Sequence, residues 1–234
     1  MQPPVLSITK RLPLWIAAFA LLLVIAPDSR AHDRGRPHHH THPYTHDVHD
    51  FIDLVVHGRE IHAVDGRSIR TLRLGTREKL LWTAAAGGLA VALTDDRVIA
   101  ITSNWREWQT RDFGVHESEP LYAVAGDDFV VVVTDDRVLS LGASAGSFTE
   151  TKLGAYEHIV DTLLGDRVAI VLTDRRVIGY SATFASLVDE VVGIHEEIHS
   201  ANAGYDFATV ATGKRLLVFD APSSSWQSHQ LALH

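Results

Sequence analysis

The chain has no cysteine and a single methionine in 234 residues. Without cysteine there is no disulfide to staple the fold, no thiolate to hold a metal and no cysteine nucleophile. Stability has to come from a packed core, and any metal site must use imidazole and oxygen donors. An excess of positive charge is also missing: 21 Lys and Arg stand against 29 Asp and Glu, a formal net charge of −8. Counterion release on nucleic acid or on an anionic membrane surface needs a basic face, so neither partner is expected. Helical periodicity is not sustained anywhere after Phe51. What remains there is short apolar runs separated by turn residues, the pattern of an all-β chain.

One longer apolar run stands at the N-terminus. Lys10 and Arg11 precede Leu12 to Ala26, and Ser29-Arg30-Ala31 sets small residues at the −3 and −1 positions of a cleavage site. This reads as a signal peptide over residues 1–31. The run is shorter than the ~20 residues of a membrane span and ends at Pro27. Cleavage after Ala31 removes three cations and one anion, which moves the formal charge from −8 to −10. The expectation is a periplasmic or secreted bacterial protein with no membrane span after cleavage. A His-rich segment, residues 32–42, follows the cleavage site, and between His32 and His49 seven of eighteen positions are histidine. Such a tract is biased toward metal chemistry and poor in core-forming residues.

From residue 43 to 234 the chain repeats itself. Thr94-Asp95-Asp96-Arg97-Val98 recurs as Thr134-Asp135-Asp136-Arg137-Val138, Thr173-Asp174-Arg175-Arg176-Val177 and Thr212-Gly213-Lys214-Arg215-Leu216. His57-Gly58-Arg59-Glu60-Ile61 holds the same slot earlier, so successive spacings are 37, 40, 39 and 39 residues. Before each turn lies a nearly continuous apolar run (Phe51 to Val56, Leu89 to Leu93, Phe129 to Val133, Val168 to Leu172, Phe207 to Ala211), expected to be a strand covered on both faces. After the turn comes its antiparallel partner, then a more polar outer strand such as Trp105 to Phe113 or Phe148 to Leu153. A fourth short segment, such as Ile159 to Leu164 or Ile198 to Ala203, completes the unit. These features predict a five-bladed β-propeller of four-stranded antiparallel blades, with about 39 residues per repeat. Blade one must supply its own first strand, which the register puts at about Pro43 to His49.

On this repeat architecture the chain resembles the β-propeller superfamily, in the general manner of Kelch-type and PQQ-type repeats. It carries no Trp-Asp dipeptide in the repeats and no repeated tryptophan motif of the PQQ kind, and Gly87-Gly88 occurs in one copy only. The resemblance therefore implies a fold and no ligand.

A second recurrence lies in the connector between blades: Gly75-Thr76-Arg77-Glu78, Gly114-Val115-His116-Glu117, Gly154-Ala155-Tyr156-Glu157 and Gly193-Ile194-His195-Glu196, with Ala232-Leu233-His234 ending the chain in the same phase. Radial repetition would set Glu78, Glu117, Glu157 and Glu196 on one face, with His116, His195 and His234 beside them. Together with His38, His39, His40, His42, His46 and His49 they form a candidate nitrogen and oxygen ligand set for Zn²⁺, Cu²⁺ or Ni²⁺. The same glutamates could instead pair with Arg97, Arg137, Arg176 and Arg215, which share their face. His57, His62, His158, His199 and His229 read as surface or packing residues.

Catalysis by paired carboxylates needs two environments that push their pKa values apart, whereas these acids repeat in every copy. No triad is visible and no catalytic residue is assigned. The sequence therefore points to a non-catalytic binding scaffold with a metal-binding tract and room on the connector face for a protein or glycan partner. The alternatives are a lectin-like propeller, in which Trp82, Trp105, Trp108 or Trp226 would serve as sugar platforms, and a small propeller hydrolase or lyase.

Overall fold

The repeated Thr-x-x-Arg element makes a tight hairpin, with two residues between its strands in three copies and three in the copy at Thr134. In the computed structural model, which describes residues 52–231 apart from 106, 115, 116, 118, 119, 121 and 194, these hairpins form the centres of five antiparallel sheets. The first sheet holds β1 (Asp53–His57), β2 (Glu60–Val64) and β3 (Ile69–Arg73). The second holds β4 (Leu80–Ala86), β5 (Leu89–Thr94), β6 (Arg97–Thr102) and β7 (Gln109–Asp112). The third holds β8 (Tyr122–Ala125), β9 (Phe129–Val133), β10 (Arg137–Gly142) and β11 (Thr149–Lys152). The fourth holds β12 (Ile159–Leu164), β13 (Val168–Thr173), β14 (Arg176–Ser181) and β15 (Ser186–Val191). The fifth holds β16 (Ile198–Ala203), β17 (Phe207–Thr212), β18 (Arg215–Asp220) and β19 (Ser225–Gln230). No helix occurs among the described residues.

Each sheet runs in chain order from one edge to the other, and neighbours pair only antiparallel. The register repeats: Val56 faces Ile61, Leu93 faces Val98, Val133 faces Val138, Leu172 faces Val177 and Ala211 faces Leu216. The chain is a five-bladed β-propeller. The strand expected at Pro43 to His49, like the signal peptide and the His-rich segment, lies outside the described residues.

Adjacent blades are joined by apolar clusters built from facing sides of their two central strands. Ile61 and Leu74 of blade one meet Ala92 and Ile99 of blade two. Leu89, Val91 and Val98 meet Val130, Val132 and Leu139 of blade three. Phe129 and Val131 meet Val171 and Tyr180 of blade four, with the Phe129 and Tyr180 rings 5.0 Å apart. Val168 and Ile170 meet Val210, Leu217 and Phe219 of blade five. At ~25 cal/mol per Å² of buried apolar surface, these junctions supply the main stabilising term of the fold.

Two sequence expectations need correction. The outer strand of blade two starts at Gln109 and not at Trp105, because Trp105 turns back, donating its N–H to Thr102 Oγ1 at 3.2 Å, in a turn that lies against Gly146. The apolar runs of blades two, three and four are buried at every position, but Phe207 to Ala211 and the run ending at Val56 are not. A strand can be covered on both faces only where a sheet packs on each side.

Candidate functional site

The connector glutamates become a site through spacing along the chain. Each lies three residues after its glycine and 16 or 17 residues before the threonine that ends the next central strand. The hairpin brings that threonine and the arginine three residues later back onto the carboxylate. Thr94, Thr134, Thr173 and Thr212 donate their hydroxyls to Oε1 of Glu78, Glu117, Glu157 and Glu196 at 2.9, 2.6, 2.8 and 2.5 Å. Arg97, Arg137, Arg176 and Arg215 donate Nε–H to the same oxygens at 2.8, 2.9, 2.9 and 2.8 Å. The N–H groups of Gly75, Gly114, Gly154 and Gly193 fill Oε2 at 2.6, 2.7, 2.6 and 3.1 Å.

An ionised carboxylate has about four acceptor positions. In blades two, three and four a second arginine nitrogen, Nη2, takes the last of them, at 3.0, 2.7 and 3.2 Å. The glutamate side chains are only 3 to 6% exposed. Burial pushes their pKa values up, and hydrogen bonds from arginine, threonine and the glycine N–H more than offset it, so all four lie below the ordinary carboxylate range, Glu196 at about 2.

The arginines also reach between blades. Arg137 Nη2 donates to the Asp112 carbonyl of blade two at 2.7 Å, Arg176 does the same to Lys152 of blade three and Arg215 to Val191 of blade four. Nη1 of Arg137 and Arg176 meets the outer-strand acids Glu150 and Asp189 of its own blade, while Arg215 Nη1 takes Glu190 of the blade before at 2.7 Å. The Glu117, Glu157 and Glu196 groups are thus clasps that tie connector, hairpin and preceding blade together, and the Glu78 group ties connector to hairpin. The sequence reading found the glutamates and arginines but missed the threonine and glycine donors. The interval from Glu78 to Thr94 to Arg97, kept to within one residue in three further blades, was the available signal.

Glu78, Glu117, Glu157 and Glu196 therefore keep the expected phase, each held by donors within its own repeat. His195 is exposed beside Glu196. His38, His39, His40, His42, His46, His49, His116 and His234 lie outside the described residues. Among the described residues no three His, Asp or Glu side chains converge as a ligand set. The position before each clasp glutamate is exposed and variable, being Arg77, Tyr156 and His195 where it is described.

A cleft of about 560 Å³ opens over the clasp of blade three, lined by Arg111, Arg137 and Lys152 against Asp112, Glu117 and Asp136. Its described lining holds no serine, threonine or histidine. The tryptophans pack: Trp82 against the cluster between blades two and three, Trp108 against the first junction, and Trp226 on Phe219 at 5.0 Å with its Nε1–H on the Val188 carbonyl. Trp105 is half exposed.

No protein-family model and no curated protein matches the chain. Among solved structures it is similar to human WBSCR16, at 14% identity over 65% of this chain and 50% of that one, with a TM-score of 0.38. It is also similar to HIRA residues 644–1017, at 10% identity over 66% and 53% and a TM-score of 0.39. A third similarity is to Prp20p of Saccharomyces cerevisiae, at 12% identity over 73% and 56% and a TM-score of 0.37. The chain spans about half the length of these structures.

Proposed function

We propose that the protein is an exported, non-catalytic binding scaffold whose N-terminal histidine tract takes up a divalent transition metal and whose connector face meets a protein or glycan partner. The observation that carries the reading is the clasp. The acids and bases that recur in blades two to five are spent on one another inside each repeat, so they hold a constant frame and leave Arg77, Tyr156 and His195 as the outward, variable positions. A constant frame presenting variable side chains is how loops on a rigid scaffold carry recognition. Catalysis would call for one blade to differ in its acid and base environments, and the four clasps share theirs.

The metal part rests on imidazole density between His32 and His49. With the clasp carboxylates of blades two, three and four filled and Glu196 held by three donors, the imidazoles of the tract are the available donors. Export rests on the residue 1–31 pattern, and the intact mass of the exported chain should begin at His32. Calorimetry with Zn²⁺, Cu²⁺ and Ni²⁺ tests the rest. Binding should weaken as pH falls below about 6.5, where imidazole protonates and cannot ligate. Replacing the seven tract histidines by alanine should remove the strongest binding event, whereas Glu117→Gln with Glu196→Gln should leave it in place. Strong binding that survives loss of the tract overturns the metal reading.

A further inference from the structure

Two smaller grooves on the connector face lie at the same place in successive repeats, between the hairpin of one blade and the connector that leaves it. The first, of about 330 Å³, runs between Asp135 and Asp136 of the blade-three hairpin and Ala155, Tyr156, His158 and Ile159. The second, of about 240 Å³, runs between Asp174 of the blade-four hairpin and Val192, Glu197 and Ile198, with Val160 beside them. His158 and Asp174 join the two. His158 N–H donates to Asp174 Oδ1 at 2.9 Å, and Asp174 N–H donates to the His158 carbonyl at 3.0 Å. Ile159 of the first groove and Val160 of the second are consecutive, so the grooves adjoin.

Their walls combine exposed apolar surface with unbalanced negative charge. Tyr156 is 84% exposed, more than any other large apolar side chain described, and its hydroxyl makes no hydrogen bond among the described residues. It is held at φ +63°, in the left-handed region that disfavours a side chain, whereas Arg77 and His195 at the same slot are not. Val160 is 59% exposed at a register shift of β12, where the bulge leaves it without a partner on β13. The clasp acids of both grooves, Glu157 and Glu196, are neutralised by Arg176 and Arg215. Asp135, Asp136, Asp174 and Glu197 remain, and no lysine or arginine lines either groove. The carboxylates of Asp136 and Glu197 are exposed and have no partner among the described residues. One cation stands at the rim, Arg175, whose guanidinium comes up to Gly154. The 560 Å³ cleft on the other side of Asp136 differs, since Arg111, Arg137 and Lys152 there balance its three acids.

We propose that the two grooves form one docking surface for a basic segment of a partner protein, with a lysine or arginine stacked on the Tyr156 ring, further cations on Asp136 and Glu197, and aliphatic side chains over Val160. The inference rests on the connector face being the partner face, and it names the partner's chemistry. A cation within about 6 Å of a tyrosine ring is attracted by the negative face of the ring, and the hairpin carboxylates lining the same groove add to that attraction. Tyrosine packed under a partner is also the kind of anchor that dominates binding, because a large ring loses little rotamer freedom when covered. An acidic segment would meet like charge in both grooves.

The test uses the full chain and three fluorescein-labelled probes: a short peptide alternating arginine and leucine, one alternating glutamate and leucine, and a neutral glucose oligosaccharide. Anisotropy at low salt should show binding of the arginine peptide alone, weakening as salt screens the charges. Tyr156→Ala should weaken it more than about tenfold, and Tyr156→Phe should retain it. Asp136→Asn with Glu197→Gln should weaken it about fivefold. Asp127→Asn with Asp128→Asn, the same change of net charge at the opposite end of β9, should leave it within about twofold. Arg175→Gln removes the rim cation and should tighten binding. Tyr156→Gly relieves the left-handed backbone, so it should melt no lower than the parent chain while losing the peptide. No binding of the arginine peptide, or binding as sensitive to the Asp127 and Asp128 pair as to the groove pair, overturns the docking surface. Binding of the glutamate peptide or the oligosaccharide that Tyr156→Ala removes overturns the basic partner and leaves the connector-face reading standing.

Discussion

Blades three and four and the two end blades are built from one repeat, yet they are buried differently. Every residue of β9 and β13 is buried, while β17 alternates between buried and partly exposed positions and β2 does the same. Phe129 is 0% exposed, and Phe207, its equivalent in blade five, is 53% exposed. The side chains differ little; the neighbours differ. A blade in the middle of the chain is packed by the blade on either side, whereas blades one and five each have one such neighbour in sequence. The junction they could make with each other carries Glu60 and His62 in place of arginine and an aliphatic residue. The clasp divides the blades differently, being present in blades two to five and replaced in blade one by His57 and Glu60 at the threonine and arginine slots.

The sharpest way to break this comparison is to cut equivalent core positions. Phe219→Ala at the junction of blades four and five should cost about 3–5 kcal/mol, because the ring is fully buried between Gly179 and Trp226 and leaves a cavity. Val64→Ala, at the same slot in blade one, should cost less than about 1 kcal/mol. Urea unfolding of both variants reads the difference, and equal costs would mean that the last junction is packed like the others. Gly179 is part of this packing, since a Cβ there would lie 2.7 Å from the Phe219 ring.

The clasps should give the next largest effect. Glu157→Gln removes the buried charge partner of Arg176, whose side chain is 17% exposed, and leaves it only the more exposed Asp189 at 3.2 Å. A loss of about 2–3 kcal/mol is expected, below the ~3–5 kcal/mol of a fully buried broken pair. Glu60→Gln, whose exposed carboxylate has among the described residues only the His62 imidazole as a charge partner, at 3.8 Å, should change stability by less than about 0.5 kcal/mol. The two variants compared in one denaturant series test whether the clasp is structural.

Acid sharpens the same contrast more gently. The clasp carboxylates have pKa values below that of an unfolded glutamate, 4.5, so the unfolded chain binds protons first as pH falls. Their contribution is fully present above about pH 4.5 and is lost as pH drops through the folded values, for Glu196 down to about 2. Melting temperatures between pH 5 and 2 should fall, and Glu196→Gln should make that fall shallower. An identical pH profile for the variant would remove Glu196 from the acid response.

Periodicity carried the fold. Four threonine-led turns and a fifth in phase placed every central hairpin, and the two residues between Thr94 and Arg97 form the tight loop that their spacing predicts. Local chain geometry suffices there, because strand, turn and strand are contiguous. The ligand set was legible only in part. Glu157 was visible as a repeated acid, but not that Thr173, Arg176 and the Gly154 N–H fill it.

What the sequence determined by itself is the part of the protein that repeats: strand order, hairpin register and the phase of glycine, glutamate, threonine and arginine in each copy. Those follow from backbone pairing and side-chain alternation within about 39 residues. Only the tertiary structure decided what each repeated group does. Whether Ala211 and Leu216 are core or surface depends on the sheet beside them, and whether a connector carboxylate is a free ligand or an occupied acceptor depends on donors brought from 16 to 20 residues away. Desolvation and hydrogen bonding are set by neighbours in space, and a repeat read along the chain does not contain its neighbours.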